Sequence, residues 1–203
     1  MIEVTDMIQG SDEWLKLRVG VLTASNFSKV LAKGEGKVRK SLMLDMAAEN
    51  LSGEPQESFE SEWTIRGSTI EPDARAGYAM LTSSDVREIG FAFLDEHRLI
   101  GCSPDALVGE DGGLEIKCPK PKTHIEYLLA DKIPPQYVAQ VQGSLWVTGR
   151  KWWDFVSYCP SIADNPMFRF RVTPNEEYIS NLKTECGLFL VELDELINKI
   201  KNA

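Results

Sequence analysis

The spacing of apolar residues changes period along the chain and divides it into a helical first third, a strand-rich middle and a helical end. Residues 11–18 (SDEWLKLR) open with a capping serine and two acids and close on basic residues, which favours a short helix because each charge complements the dipole at its own end. Thr23 or Ser25 can cap a second helix. Residues 41–51 carry Leu42, Leu44, Met46 and Ala47 as the apolar contacts of a further helix. Residues 69–80 combine a capping threonine, an early Pro72 and small residues, and predict a helix that opens at Thr69. The basic, glycine-containing stretch 33–37 and the polar stretch 52–62 read as loops between these helices.

From Val86 the period shortens to two. Residues 86–93, 99–102 and 114–118 are short β-type runs separated by Asp95-Glu96 and by the turn Gly109-Glu110-Asp111-Gly112-Gly113, the pattern of an antiparallel meander at the heart of a sheet. Pro134-Pro135 opens a helix to about Val147, which Gly149 ends, and residues 152–158 and 167–172 alternate as two more strands. Thr173-Pro174-Asn175-Glu176 reads as a capping box with proline in the first helical position, opening a long helix to the C-terminus. On that helix Ile179, Leu182, Cys186, Phe189, Leu193, Leu196 and Ile200 recur at alternating steps of three and four. Such a seam suits packing on the protein's own sheet, with a subunit contact as the second option. With no repeat or linker in view, the expectation is one α/β domain over residues 1–203.

Charge complicates any nucleic-acid role. The chain has 22 Lys and Arg against 31 Asp and Glu, a formal charge of −9, so uniform attraction to a phosphate backbone is excluded. The charge is uneven, however. Between Lys16 and Lys40 seven basic residues face Glu35 alone, and between Ile116 and Lys151 six face two acids, whereas residues 41–115 carry sixteen acids against four arginines. A DNA enzyme built from this chain needs a basic lining and an acidic exterior. The 43% apolar content supports a buried core, and no window resembles a membrane span or a signal peptide, so the expectation is a cytoplasmic protein without a membrane role. Cys102, Cys118, Cys159 and Cys186 lack close spacing and are expected as thiols, and His97 and His124 are too isolated for a histidine metal site.

Candidate chemistry sits on the meander. Ser103-Pro104-Asp105 ends one run and Glu115-Ile116-Lys117 lies on the next. On a strand Glu115 and Lys117 share a face, and a hairpin pairing brings Asp105 beside them. Two carboxylates with a lysine suit a hard divalent cation such as Mg²⁺, with the Ile116 carbonyl as a third protein ligand. Bound there, the cation polarises a phosphoryl oxygen and lowers the pKa of water, and Lys117 orients that water or stabilises developing charge. A lone acid-apolar-Lys triplet is common on strands; the Ser-Pro-Asp at hairpin distance is what gives this one weight.

Four ordered blocks then resemble a known family. Gly101-Cys102-Ser103-Pro104-Asp105, Gly113-Leu114-Glu115-Ile116-Lys117-Cys118-Pro119, and Tyr137-Val138-Ala139-Gln140-Val141-Gln142 with Leu145-Trp146-Val147-Thr148 are similar to the bacteriophage lambda exonuclease family, or YqaJ-type viral recombinases, a branch of the PD-(D/E)xK nuclease superfamily. Gln9 to Gly20 and Leu22-Thr23-Ala24-Ser25 match the same family, so the resemblance spans nearly the whole chain. It implies a restriction-endonuclease-like core with a central mixed β-sheet flanked by helices. It implies a processive exonuclease, dependent on Mg²⁺ (two ions per active site, Mn²⁺ substituting), that digests one strand of duplex DNA from the 5′ end, releases mononucleotides and leaves a 3′ overhang. A ring-shaped homotrimer threaded by DNA, a single-strand annealing protein as partner, and a phage or prophage origin in the cytoplasm of a bacterial host complete the implication.

Residue by residue, the resemblance makes Asp105 and Glu115 the metal-binding acids, Lys117 the catalytic lysine, Glu71 a helical acid near the metals, and Gln140 the glutamine that positions water or substrate. Arg18 and Ser25 match a pocket for the 5′-terminal phosphate, which agrees with their chemistry: arginine grips phosphate bidentately, and a serine at a helix start sets backbone N–H groups beside the same anion. Asp95 aligns with another family acid, although its turn position equally suits a solvated residue. Seen singly, Arg18 at a helix C-terminus, Glu71 with Arg75 as an i,i+4 pair, and Gln140 with Gln136 on a solvent face need no ligand. A structure-specific endonuclease on the same core and a catalytically silent DNA-end-binding scaffold are the competing readings.

Overall fold

In a computed structural model, residues 1–32, 36–56 and 62–203 are described, residues 62–68 by their backbone alone. Of the loops expected at 33–37 and 52–62, residues 33–35 and 57–61 lie outside the described residues; a helix begins at Lys37 and ends at Ser52, and Gly53 caps it in a left-handed conformation. The strands form two mixed sheets rather than one. Strands β1 (Ile2–Val4), β2 (Leu22–Thr23), β4 (Phe91–Phe93) and β5 (Ile100–Cys102) make the first, in the order β1-β4-β5-β2. Strands β3 (Val86–Arg87), β6 (Ala106–Val108), β7 (Gly112–Lys117), β8 (Trp152–Tyr158) and β9 (Met167–Val172) make the second, in the order β3-β6-β7-β8-β9. β2 runs parallel to β5 and β7 parallel to β8; the other pairings are antiparallel.

The expected meander is therefore divided between sheets, and the run 86–93 is two strands in different sheets. Gly90 marks the break, since a Cβ there would lie 2.6 Å from the Met7 carbonyl oxygen, a close passage that only glycine allows. The second crossing is at Ser103-Pro104, where proline cannot donate to a ladder. Alternation alone cannot distinguish one meander from strands shared by two sheets, because side chains alternate between the two faces of a strand in either case.

The helices are α1 (Asp12–Leu17), α2 (Phe27–Val30), α3 (Lys37–Ser52), α4 (Glu62–Thr82), α5 (Pro121–Ala130), α6 (Pro135–Thr148) and α7 (Glu176–Lys201), with a 3-10 turn at Ala24–Asn26. Ser11 caps α1 as expected, its hydroxyl accepting the Trp14 N–H at 3.2 Å. α4 starts before Thr69, so Pro72 lies inside it instead of opening it. α5 escapes the apolar pattern because Leu129 faces solvent while His124 is buried. The cap of α7 is Asn175, which accepts the Tyr178 N–H at 2.9 Å, not Thr173. Gln142 on α6 explains the shift: it donates to the Thr173 carbonyl and accepts the Asn175 N–H, holding this stretch outside the helix.

α7 packs chiefly on α3, α2 and α6, and its apolar stripe shares one core cluster with Trp153 and Val172 of the second sheet. Its buried stripe ends at Ile197, leaving Ile200 45% exposed, because a straight helix drifts away from a 3.5-residue seam. On the second sheet, α4 buries Ala74 and Tyr78 against Leu114, Ile116 and Val156. α6 meets α2 at Gly143, where a Cβ would stand 2.3 Å from the Phe27 ring. This contact brings the Ala24–Asn26 turn against α6. Gly143→Ala should therefore cost about 2 kcal/mol of stability by overpacking, measured by urea denaturation; an unchanged midpoint would show that the two helices can separate freely.

Candidate active site

With Leu114 and Ile116 buried under α4, Glu115 and Lys117 point to the opposite face of β7. Ala106 pairs with Leu114, and the Asp105 N–H donates to the Leu114 carbonyl at 3.2 Å, so the register sets Asp105 beside Glu115 as expected. The Asp105 Oδ2 accepts the Ile116 N–H at 2.5 Å. Glu115 is only 1% exposed. Its Oε1 accepts the Gln140 amide at 2.6 Å and pairs with the Lys117 Nζ at 2.5 Å. The Lys117 ammonium also lies 5.3 Å from the centre of the Tyr137 ring, one turn before Gln140 on α6. Burial works against the lysine charge, but Glu115 and Asp105 overcome it and hold the pKa above the ordinary lysine range.

α4 supplies Glu71, whose Oε1 is 2.7 Å from the Arg75 Nη2. The same guanidinium donates through Nε to the Asp105 carbonyl at 3.0 Å. Burial first, then the charge of Glu115, pushes the Asp105 carboxyl up to about 7. Burial and the charge of Asp105 likewise push Glu71 up to about 7.

Arg18, Ser25, Asp105, Glu115, Lys117 and Gln140 line one cavity of about 170 Å³. The end of α1, the Ala24–Asn26 turn, the segment before β6, β7 and α6, far apart in sequence, thus converge on one cavity. The Arg18 guanidinium lies 3.8 Å over the Trp14 ring, and its buried Nε has no hydrogen-bond partner. The Ser103 hydroxyl on the same cavity is also buried and unpartnered. Ser25 is exposed in the 3-10 turn, with its hydroxyl 3.0 Å from that of Thr23, which caps the turn without a side-chain bond to its backbone. Glu71 lines an adjoining cavity of about 690 Å³ that shares Gln9, Trp14 and Asp105 with the first. Asp95 lies in an exposed turn, accepts the His97 N–H at 3.0 Å, and lines neither cavity.

Several contributors were not singled out as site residues by sequence. Trp14 carries Arg18, and the i,i+4 spacing of the two on α1 is the signal that could have shown it. Gln9 donates to the carbonyls of Ile89 and Pro104 at 2.9 and 2.8 Å, tying the N-terminal segment to the Ser-Pro-Asp turn. Nothing local to the sequence marks that contact. The second basic band is used differently from expectation: Arg150 donates to the Gly109 and Gly112 carbonyls and Lys151 pairs with Asp111, so both hold the β6–β7 turn. Arg18 and Lys117 are the members of the two bands that line the smaller cavity together with Asp105 and Glu115.

Among the described residues no cluster of three or more His, Cys, Asp or Glu forms a ready cation cage. The fit is of another kind: two adjacent carboxylates, one of them raised in pKa by burial and by the charge of the other, beside the Lys117 ammonium. That set suits a hard divalent ion that keeps most of its ligands as water or phosphate. The four cysteines are thiols outside any disulfide, and three of them are buried.

A carboxyl whose pKa is raised by folding stabilises the fold when protonated. That contribution is complete below the ordinary carboxylate range near pH 4 and is lost as pH rises towards about 7. A cation held by Asp105 would need it ionised, so such binding should release protons below that pH and stabilise more at higher pH. Thermal melts with and without Mn²⁺ should show the larger upward shift at about pH 8 than at about pH 6; equal shifts would remove these acids from the cation site.

A carboxylate pair at the β6–β7 hairpin of the second sheet, with lysine two residues along the strand and glutamine reaching in from a helix, is the arrangement expected of a PD-(D/E)xK-type nuclease, and the fold is of that class. The chain belongs to the YqaJ-like viral recombinase domain family, whose model matches residues 13–151 and so includes every residue lining the smaller cavity except Gln9. It is 35% identical to the alkaline exonuclease LHK-Exo of Laribacter hongkongensis, whose crystal structure superposes with a TM-score of 0.88 over 95% of this chain and 97% of that one. A second structure of that enzyme is a complex with dAMP. A phage-related exonuclease from Haemophilus somnus shares the fold, with a TM-score of 0.66 at 16% identity over 89% of this chain and 96% of that one. The uncharacterized protein R354 of Acanthamoeba polyphaga mimivirus is 29% identical over 73% of this chain, which spans only 28% of that longer protein.

Proposed function

We propose that the protein is a Mg²⁺-dependent, processive 5′→3′ exonuclease on double-stranded DNA, releasing 5′-mononucleotides and leaving 3′ overhangs for single-strand-annealing recombination. The observation that carries this reading is the single cavity joining Arg18 and Ser25 to Asp105, Glu115, Lys117 and Gln140. A strand whose terminal phosphate sits at Arg18 presents its next phosphate to the acids, so each cut removes one nucleotide. LHK-Exo, which binds dAMP, offers a relative that accommodates a ligand of that size.

Asp105 and Glu115, with the Ile116 carbonyl, would hold the cation; two ions per site, with Mn²⁺ able to substitute and Glu71 nearby, belong to the same proposal. When bound, the cation supplies Lewis-acid charge to the phosphate being cut. Lys117 keeps a permanent positive charge beside the same phosphate and stabilises the negative charge that grows there. Gln140 fixes Glu115 through its amide and orients water or substrate with its carbonyl. Arg18, held flat on Trp14, offers an unpaired N–H to the 5′-phosphate, and Ser103 an unpaired hydroxyl. The net acidic charge of the chain disfavours DNA that is not seated in the site.

Family membership supports the remaining parts of the proposal: a homotrimeric ring threaded by duplex, a single-strand annealing protein as partner, and work in the cytoplasm of a phage-carrying bacterial host. Among the described residues no helix is long and apolar enough to cross a membrane.

A blunt, 5′-phosphorylated, end-labelled duplex should yield mononucleotides with Mg²⁺ and remain intact without it. Cutting of a closed circle with the linear duplex spared would establish the endonuclease reading instead, and binding of ends without any cleavage the silent scaffold. Lys117→Ala should abolish cleavage while retaining end binding in a gel-shift assay; wild-type rates in that variant would remove Lys117 from the chemistry. Light scattering should give three times the chain mass of 22.8 kDa, and a stable monomer would refute the ring.

A further inference from the structure

Arg75 stands one helical turn after Glu71 on α4, with its side chain 15% exposed, and every edge of its guanidinium is engaged. Nη2 meets Glu71 at 2.7 Å, Nε donates to the Asp105 carbonyl at 3.0 Å, and Nη1 meets Glu88 at 2.7 Å. The contact to Asp105 goes to its backbone, so the residue is located without its carboxylate being occupied. Glu71 and Asp105 come from a helix and a strand end with no covalent proximity, and their like charges oppose each other. One planar fork touching both is the direct link between them.

Anchoring of α4 does not need this link. Ala74 and Tyr78 already bury their side chains against the second sheet, and the Tyr78 hydroxyl donates to the buried Asp154 at 2.7 Å. The Arg75 fork is therefore surplus to holding the helix but suited to setting the spacing between two acids. We propose that Arg75 is a positioning residue that holds Glu71 and the Asp105 backbone together, so that acids from separate elements serve one divalent-cation site. This rests on the nuclease reading, in which Asp105 binds the cation. Lysine cannot replace the fork, because its ammonium is a single point charge that cannot span a carboxylate and a carbonyl in one plane.

The test is calorimetric titration of Mn²⁺ into the full-length protein, together with the digestion rate and the melting temperature. Removal of groups that orient metal ligands lowers metal affinity by about 10–100-fold, and Arg75→Ala should fall in that range, with Arg75→Lys between it and wild type. Glu88→Gln should bind Mn²⁺ as wild type does, since Glu88 is 68% exposed and serves as the outer partner of the fork. Tyr78→Phe should lower the melting temperature without changing Mn²⁺ affinity. Wild-type affinity in Arg75→Lys and Arg75→Ala would overturn the proposal, as would a Tyr78→Phe variant that lost Mn²⁺ affinity to the same degree. If Arg75→Ala does not fold, Arg75→Lys decides alone. Absence of Mn²⁺ binding in the unaltered protein would overturn the cation site and this inference together, whereas normal binding with indifferent Arg75 variants overturns the inference only.

Discussion

The structure turns on the enforced proximity of two carboxylates, Asp105 and Glu115, at the place where the chain passes from one sheet to the other. Like charges in a poorly solvated position repel, and the rise in the Asp105 pKa expresses that cost. The surroundings answer it group by group. The Ile116 N–H and the Lys117 ammonium compensate from the same strand, Gln140 from α6, and Arg75 reaches the Asp105 backbone from α4. The compensation is incomplete because Lys117 is a single charge shared between both acids. A site left with residual negative charge and little water favours a divalent cation, and the proposed phosphodiester cleavage rests on that preference.

The opposite side of the cavity is governed by a different constraint. The placement of Arg18 and Ser25 relative to the acids is set by packing. Gly143 allows α6 to lie directly on Phe27, which brings the turn containing Ser25 towards the face of α6 that carries Gln140. Trp14, fixed by its indole N–H to the Gly90 carbonyl, carries Arg18 on its face. Both arrangements place positive charge and free donors within a cavity whose other wall is acidic, the layout that the proposed grip on a phosphate-bearing strand end would use.

The net charge of −9 is reconciled with this arrangement by segregation, though less simply than bands of sequence suggest. Arg150 and Lys151 serve the backbone of the β6–β7 turn, and Arg39 pairs with Glu192 on α7. The contribution of Arg150 and Lys151 is indirect: a hairpin held in register keeps Asp105 beside Glu115. Basic residues counted along a chain therefore overstate the charge available to a nucleic acid whenever carbonyls and carboxylates of the same protein take them first.

Sequence by itself determined the hairpin chemistry. Side-chain period two puts Glu115 and Lys117 on one face, a glycine-rich turn returns Asp105 to them, and helix ends at Ser11 and Gly149 are written in local capping preferences. These are short-range properties, settled within a few residues. Tertiary structure alone decided that the β-runs belong to two sheets, that Asn175 rather than Thr173 caps the last helix, and that Asp95 stays outside both cavities. It also decided that Gln9, Trp14, Ser103 and Arg75 stand at the site. Each of these depends on a partner distant along the chain: Met7 against Gly90, Gln142 against Thr173 and Asn175, Arg75 against Asp105. Periodicity reports which face a residue is buried on, not what it is buried against, and the cavity exists only where those long-range contacts meet.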